Sequence, residues 1–355
     1  LRTLDDLRGD PDVAFAHPVF IVSDTRMTLV DQFVARFGAD VTAEQIAAFN
    51  ESNDVELVEE MRLPHTYVLR VSDGSDVLAM ANRYHESGLT AYASPDFVRF
   101  LSRQFAPNDP HYPNQWGMEN TGSNPPDGVG TADADMDVSA AWDIERGSGD
   151  VVIAIIDEGV ELDQEDLDDK IVGHYSPIPG DGDGGDPNNS WDAHGTNCAG
   201  IAAAETNNAQ GVAGVCADCS LMAVQIAYSI APGGNWVTQD SWIADAITWS
   251  VDQGADILSN SWGGGSPSTV INSAIDHAVT NGRGGLGCAV LFAAGNANET
   301  PIHYPGRNSQ VIAVGASSPC DERKNPASCD GEDWWGSNFG PALDIVAPGV
   351  EWYAT

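Results

Sequence analysis

Val151-Val-Ile-Ala-Ile-Ile-Asp157-Glu-Gly159 runs through six apolar residues, five of them β-branched, and stops at a carboxylate followed by glycine. An unbroken apolar run of that length predicts a strand buried on both faces, the kind found in parallel sheets. Asp157 then falls at the carboxyl end of its strand, where open α/β sheets place their sites. A carboxylate there is costly unless something pairs with it. The candidate partner is His194, in Asp192-Ala-His194-Gly-Thr-Asn-Cys-Ala-Gly200. Gly195, Ala199, Gly200, Ala202 and Ala203 would let a helix opening at His194 pack close to the sheet. An acid behind an imidazole fixes its tautomer and stabilises the imidazolium, as the general base of acyl transfer requires. The bland alternative for each residue alone is an Asp N-cap and an ordinary core histidine. The two together, in these contexts, favour the acid–base pair.

Outward from that strand, apolar runs alternate with helical patterns. Strands are expected at 151–157, 171–176, 221–227, 257–261, 289–295, 311–316 and 343–347, and helices near 194–206, 241–253 and 268–281. This alternation, from about residue 137 to 355, predicts a doubly wound parallel sheet. Upstream, residues 31–104 read as strand, helix, strand, strand, helix, strand: 32–37, 42–49, 55–58, 66–71, 75–86 and 90–93. That order predicts a small α+β ferredoxin-like domain. Val13-Ala-Phe-Ala-His-Pro-Val-Phe20 and Leu89-Thr-Ala-Tyr-Ala-Ser-Pro-Asp-Phe97 are near copies, so residues 1–30 read as the tail of a truncated preceding unit. Residues 105–136 read as a linker, proline-rich over 105–116, and the start of the larger part that follows it.

The 355 residues carry 53 acidic and 15 basic side chains, a formal charge of −38. Such a field repels nucleic acid and anionic membrane and argues against both as partners. It suits a calcium-rich or salty exterior, or simple solubility. No apolar run approaches the roughly 18 residues of a membrane span. Of the six cysteines, Cys320 and Cys329 flank a polar loop and Cys216 and Cys219 lie close together, so both pairs predict disulfides and an exported protein. Cys198 and Cys288 sit in apolar segments and read as buried free thiols.

Two further stretches carry chemistry. Leu291-Phe-Ala-Ala-Gly-Asn296 puts a side-chain amide at the end of another buried strand, where it can donate to an oxyanion. Ile257-Leu-Ser-Asn-Ser-Trp-Gly-Gly-Gly265 is a strand ending in glycines, suited to pairing with an extended peptide. The acidic run Gly180-Asp-Gly-Asp-Gly-Gly-Asp186 reads equally as a cation loop or a flexible surface loop.

With Pro107-Asn-Asp-Pro, Gln115-Trp-Gly, Ser337-Asn-Phe-Gly and Asp344-Ile-Val-Ala-Pro-Gly349, these stretches make the chain from about Asn108 to Thr355 resemble the subtilisin-like serine proteases, especially the bacterial relatives of kexin. The resemblance implies Asp157 as triad acid, His194 as general base and Asn296 as oxyanion donor. It implies a substrate cleft lined by Ser259, Asn260, Ser261, Trp262, Gly263, Ala293, Ala294 and Gly295. It implies calcium held by Asp166, with the side chain of Asn208 and the carbonyls of Glu205, Gln210 and Val212, oxygen ligands that suit a hard cation. Residues 31–104 would be a prodomain that inhibits the cleft of its own zymogen until it is cut near Arg103 to Ala106. The substrates implied are proteins or peptides, and the setting is secreted.

The family's Gly-Thr-Ser-Met-Ala type segment, which carries the nucleophile, does not occur before Thr355, so the Ser is expected beyond it. The alternative is a catalytically inactive relative that binds or builds outside the cell. Basic-specific members place acids after the Ser-Trp-Gly and Gly-Asn motifs. Here those positions read Gly264-Gly-Ser-Pro and Ala297-Asn-Glu-Thr-Pro, so strict dibasic cleavage is not expected.

Overall fold

The computed structural model describes residues 19–22, 25–72, 75–99, 105–181, 184–350 and 354–355. The chain divides into two compact units, Leu1–Arg103 and Gln104–Thr355.

The N-terminal unit comprises β1 (Val19–Val22), β2 (Thr25–Phe37), α1 (Ala43–Ser52), β3 (Val55–Glu60), β4 (Thr66–Val71), α2 (Val77–Glu86) and β5 (Thr90–Arg99). The strands form one antiparallel sheet in which β2 is flanked by β4 and β5, β3 lies outside β4, and β1 pairs with the start of β2. Helix α1 begins at a capping box, Thr42 accepting from the Gln45 N–H while the Gln45 side chain accepts from Thr42. Phe33 and Tyr84 are sealed in its core with ring centres 4.8 Å apart, and the Tyr84 hydroxyl is satisfied by Asn50 at 2.8 Å. Strand β2 starts at Thr25, ahead of the boundary expected at residue 30, and Phe20 of β1 meets Phe97 of β5 edge to face at 6.3 Å. The described end of the first near copy therefore belongs to this unit, because it pairs with the same strand as the second copy. Residues 13–18 of that copy and the expected cut at Arg103–Gln104 lie outside the described residues.

The C-terminal unit contains α3 (Val138–Trp142), β6 (Val152–Asp157), β7 (Ile171–Tyr175), α4 (His194–Ala203), β8 (Ser220–Gln225), β9 (Tyr228–Ser229), β10 (Trp236–Val237), α5 (Asp240–Asp252), β11 (Ile257–Asn260), α6 (Thr269–Gly285), β12 (Ala289–Ala293), β13 (Ile312–Ser318), β14 (Glu322–Arg323) and β15 (Ile345–Pro348). Its main sheet runs β14-β13-β12-β11-β6-β8-β7, with β15 also on β13, and every pair is parallel except β13–β14. Strand β6 is covered on both faces, as its composition demands. Ala154 and Ile156 pack with Ile243, Ile247 and Ile275 of α5 and α6. Ile153 and Ile155 pack with Ala199 and Ala203 of α4 on the other side. From β6 the chain builds outward through β7 and β8 on one side and β11 to β13 on the other. The crevice between β6 and β11 is thus a topological switch point, where such sheets bind ligands.

Several boundaries differ from expectation at their ends. Helix α6 loses helical backbone at Gly282, Arg283 and Gly284, just past the expected stop at Asn281. Within 105–136, Trp116 and Met118 are fully buried, and the Trp116 indole donates to the Val350 carbonyl at 3.0 Å. Among the described residues no helix is long and apolar enough to cross a membrane. Both predicted disulfides, Cys216–Cys219 and Cys320–Cys329, are formed. Cys288 is a buried free thiol, but Cys198 is only half-buried, because it lies one helical turn after His194 on the face that opens to solvent.

Candidate active site

Asp157 ends β6 with 1% of its surface exposed, and its Oδ1 accepts from His194 Nδ1 at 2.8 Å and from the Glu158 N–H at 2.9 Å. The two predicted partners are therefore in contact. The imidazole leaves nearly half its surface open, at 48%. With Nδ1 directed at the carboxylate, Nε2 is the nitrogen free to exchange a proton, and no group among the described residues bonds it. Burial opposes a charged ring, yet the hydrogen bond and charge of Asp157, with the Cys198 thiol 3.9 Å away, outweigh it and raise the imidazole pKa.

Local sequence explains how α4 reaches this position. Its N-cap, Ala193, offers no side-chain oxygen, and Glu158 supplies one from the end of β6, accepting the His194 N–H at 2.8 Å. Consecutive acids thus hold the ring and the backbone of one histidine. Asp192 is not the cap, since its carboxylate accepts from the Ser229 N–H and the Asn189 amide. Burial first, and then the Asp192 and Asp157 charges, raise the Glu158 pKa. A Cβ at Gly195 would stand 2.2 Å from the Gly159 carbonyl oxygen, so only glycine allows this approach of helix to strand. Gly200 meets Thr355 in the same way.

Across the crevice, Ser259 is in register with Ile155 of β6 and Leu291 of β12. Asn260 is buried, its amide donating to the Leu258 and Leu291 carbonyls, so it ties β11 to β12 and could meet a peptide only through its main chain. Ser261 is half-buried, and the Trp262 indole donates to Ile156 O at 2.9 Å, closing the end of β6. Gly263 is exposed. Ala294 is sealed, Ala293 and Gly295 are half-buried, and Asn296 is exposed just beyond β12. Gly295 has φ +102°, and a Cβ there would meet Asn338 Nδ2 at 2.5 Å and His303 Nδ1 at 2.6 Å.

The expected cation residues also come together. Asp166, 2% exposed, accepts from the Val212 N–H and the Asn208 amide, both at 2.9 Å. Its own carbonyl accepts the Glu205 N–H, and Asn208 Oδ1 accepts the Gln210 N–H. Sequence reading missed Asp109, equally buried, whose carboxylate accepts from Asn207 N at 2.7 Å and Asn208 N at 3.3 Å. Neither acid forms a salt bridge with a lysine or arginine among the described residues. Burial first, then the Asp109 charge, raises the Asp166 pKa against the bonds from Val212 and Asn208. Two sealed carboxylates from separate segments, both accepting from neutral donors of the loop 207–212, form an oxygen-rich set that fits a hard cation. The acidic loop 180–186 lies partly outside the described residues; Asp186 caps the Leu162 N–H there and Asp181 accepts from Asn188. The one group of three metal-capable His, Cys and acidic side chains among the described residues is Asp157, His194 and Cys198.

Comparison with known proteins agrees with this geometry. The family described as "Subtilase family" matches residues 148–355. A thermophilic serine proteinase of Bacillus sp. (strain AK1) is 32% identical, covering 91% of this chain and 71% of that protein. Thermitase of Thermoactinomyces vulgaris is 36% identical over 71% of this chain and 76% of its own. A solved protease of Pseudoalteromonas arctica PAMC 21717 superposes with a TM-score of 0.52 at 28% identity, covering 69% of this chain and 73% of that one.

Proposed function

Since the chain belongs to the subtilase family, we propose that it is a secreted, calcium-stabilised serine endopeptidase of the kexin-like branch, made as a zymogen. The observation that carries this reading is the Asp157–His194 pair, 2.8 Å apart with Nε2 open to solvent. In the proposed reaction His194 Nε2 takes the proton of a serine supplied beyond Thr355, and the serine oxygen attacks the scissile carbonyl. Asp157 holds the tautomer and stabilises the imidazolium, which then gives its proton to the leaving amine. Asn296 donates to the oxyanion, and the edges of Ser259–Gly263 and Ala293–Gly295 hold the substrate strand.

Calcium would be held by Asp166 and Asp109, with Asn208 and the carbonyls of Glu205, Gln210 and Val212 completing the oxygen set. It would supply fixed positive charge and no chemistry. The N-terminal unit would be the prodomain and intramolecular inhibitor; from β2 onward its strand, helix, strand, strand, helix, strand order supports a ferredoxin-like reading. Alignment over 91% of the chain extends the likeness to the Bacillus proteinase into that unit. The acidic surface and two disulfides support export.

Fluorophosphonate labelling of the full-length protein, after digestion of residues preceding the catalytic unit, tests this reading. Label is expected on one serine after Thr355 and is expected to vanish in His194→Ala. Folded protein that takes no label and cleaves no peptide would sink the endopeptidase and leave the inactive, binding or structural alternative.

A further inference from the structure

The turn that carries Asn296 is held by a residue far along the sequence. Asn338 is fully buried, and each of its side-chain atoms is spent on residues 294–299. Its Nδ2 donates to Ala294 O at 3.2 Å, and its Oδ1 accepts from Ala297 N at 2.9 Å and Glu299 N at 3.1 Å. Its backbone N–H donates to Gly295 O at 2.7 Å. Gly336, two residues earlier, accepts from Asn298 N at 2.8 Å. Asn296 sits inside this frame with no side-chain bond of its own among the described residues.

Gly295 and Asn298 both take positive φ, +102° and +54°, a region open to glycine and, among other residues, most readily to asparagine, and the bonds from Asn338 span this turn. A side-chain amide stabilises a developing oxyanion only when it is already aimed at the place where charge appears. The loop bearing Asn338 is itself fixed: Ser337 N donates to Lys324 O, and Arg323 donates to Asn298 Oδ1 at 2.9 Å.

We propose that Asn338 is a positioning residue for the hydrolytic reaction, holding Asn296 in the attitude from which it donates to the oxyanion. The inference rests on Asn296 being the oxyanion donor. Asparagine is required because the frame needs a donor and a double acceptor on one short side chain; aspartate keeps the acceptors and turns a second oxygen towards the Ala294 carbonyl.

The test is a double-mutant cycle on the full-length enzyme with a chromogenic peptide, with active sites titrated so that rates refer to folded enzyme. Asn296→Ala is expected to lower kcat by about 10²–10³-fold. Asn338→Ala and Asn338→Asp are each expected to lower kcat by about tenfold or more, with KM within about twofold, because the interaction is made only in the transition state. In the Asn296→Ala background, Asn338→Asp is expected to cost nothing further, since the group it aims is gone. If Asn338→Ala fails to fold, Asn338→Asp decides alone. An unchanged kcat at Asn296→Ala overturns the oxyanion reading. A large loss there, with Asn338→Asp unchanged or its loss multiplying in the double variant, overturns this inference and leaves Asn338 as packing.

Discussion

Asp157 holds His194 Nδ1 at 2.8 Å, and Asp330 holds Lys324 Nζ at 2.7 Å, both within the C-terminal unit. The acids are equally buried, but the cations are not: the histidine is nearly half open, whereas the lysine is wholly enclosed. Lys324 spends its remaining donors on the Asn325 and Glu332 carbonyls, and the Trp335 ring covers it at 5.2 Å. One pair keeps a nitrogen for solvent or substrate, and the other keeps nothing back. What separates a reactive pair from a structural one here is the number of donors left over, not the length of the contact.

Breaking each pair should therefore register in a different observable. His194→Ala in the full-length enzyme should lower kcat by about 10⁴-fold or more while costing less stability than loss of the lysine, since removing a half-open ring lets water reach Asp157. A fall in Tm matching the fall in activity would erase the distinction. Lys324→Met leaves the sealed Asp330 with no opposite charge, only the Glu332 N–H at 3.0 Å, and should cost about 3–5 kcal/mol. Read as Tm, that is about 10 °C for a domain of this size. A Tm within a degree or two of the parent would show that the enclosed pair holds nothing.

How far each pair could be read beforehand follows from the same contrast. Asp157 and His194 were legible because each closes or opens a local pattern, an apolar run and a stretch of small residues. The parallel sheet was legible for the same reason. Lys324 and Asp330 sit in a polar loop with no periodicity, where burial comes from tertiary packing that leaves no local trace. Asp109 was passed over inside a proline-rich stretch, and only its contact with residues nearly a hundred positions later gives it meaning. Glu158, next to Asp157 in sequence, shows no role there, since capping a helix from a separate strand has no sequence signature. Asn338 stood in a family motif, but its bonds to residues 294–299 could be seen only in three dimensions.

Asp109 and Asp166 form the third case, sealed acids that form no salt bridge with a lysine or arginine among the described residues. If a calcium ion takes the place that histidine and lysine take in the other two, saturating it should stabilise the unit by about 2.7 kcal/mol at a hundredfold excess over Kd. Chelation should lower Tm by about 5–10 °C in the parent and far less in Asp166→Asn. Equal responses in the two proteins would place the cation elsewhere.

The smallest effect is a slope, and it separates the sealed acid from the paired ones most sharply. Without a cation, burial raises the Asp166 pKa in the folded state above its unfolded value. Between those two values the native protein holds the proton that the unfolded chain has released. Stability therefore falls as pH rises through that interval and stays lower above it. A bound divalent cation favours the carboxylate, pulls the folded value down and reverses the sign, so stability then rises with pH through the acid range. Glu158, also raised by burial, contributes the first slope with or without calcium. Tm measured across the carboxylate range in chelator should thus fall more steeply for the parent than for Asp166→Asn. In calcium the difference between the two proteins should change sign. Parallel profiles in both buffers would mean that Asp166 does not change its ionisation on folding, and that its burial is matched by the Val212 and Asn208 donors alone.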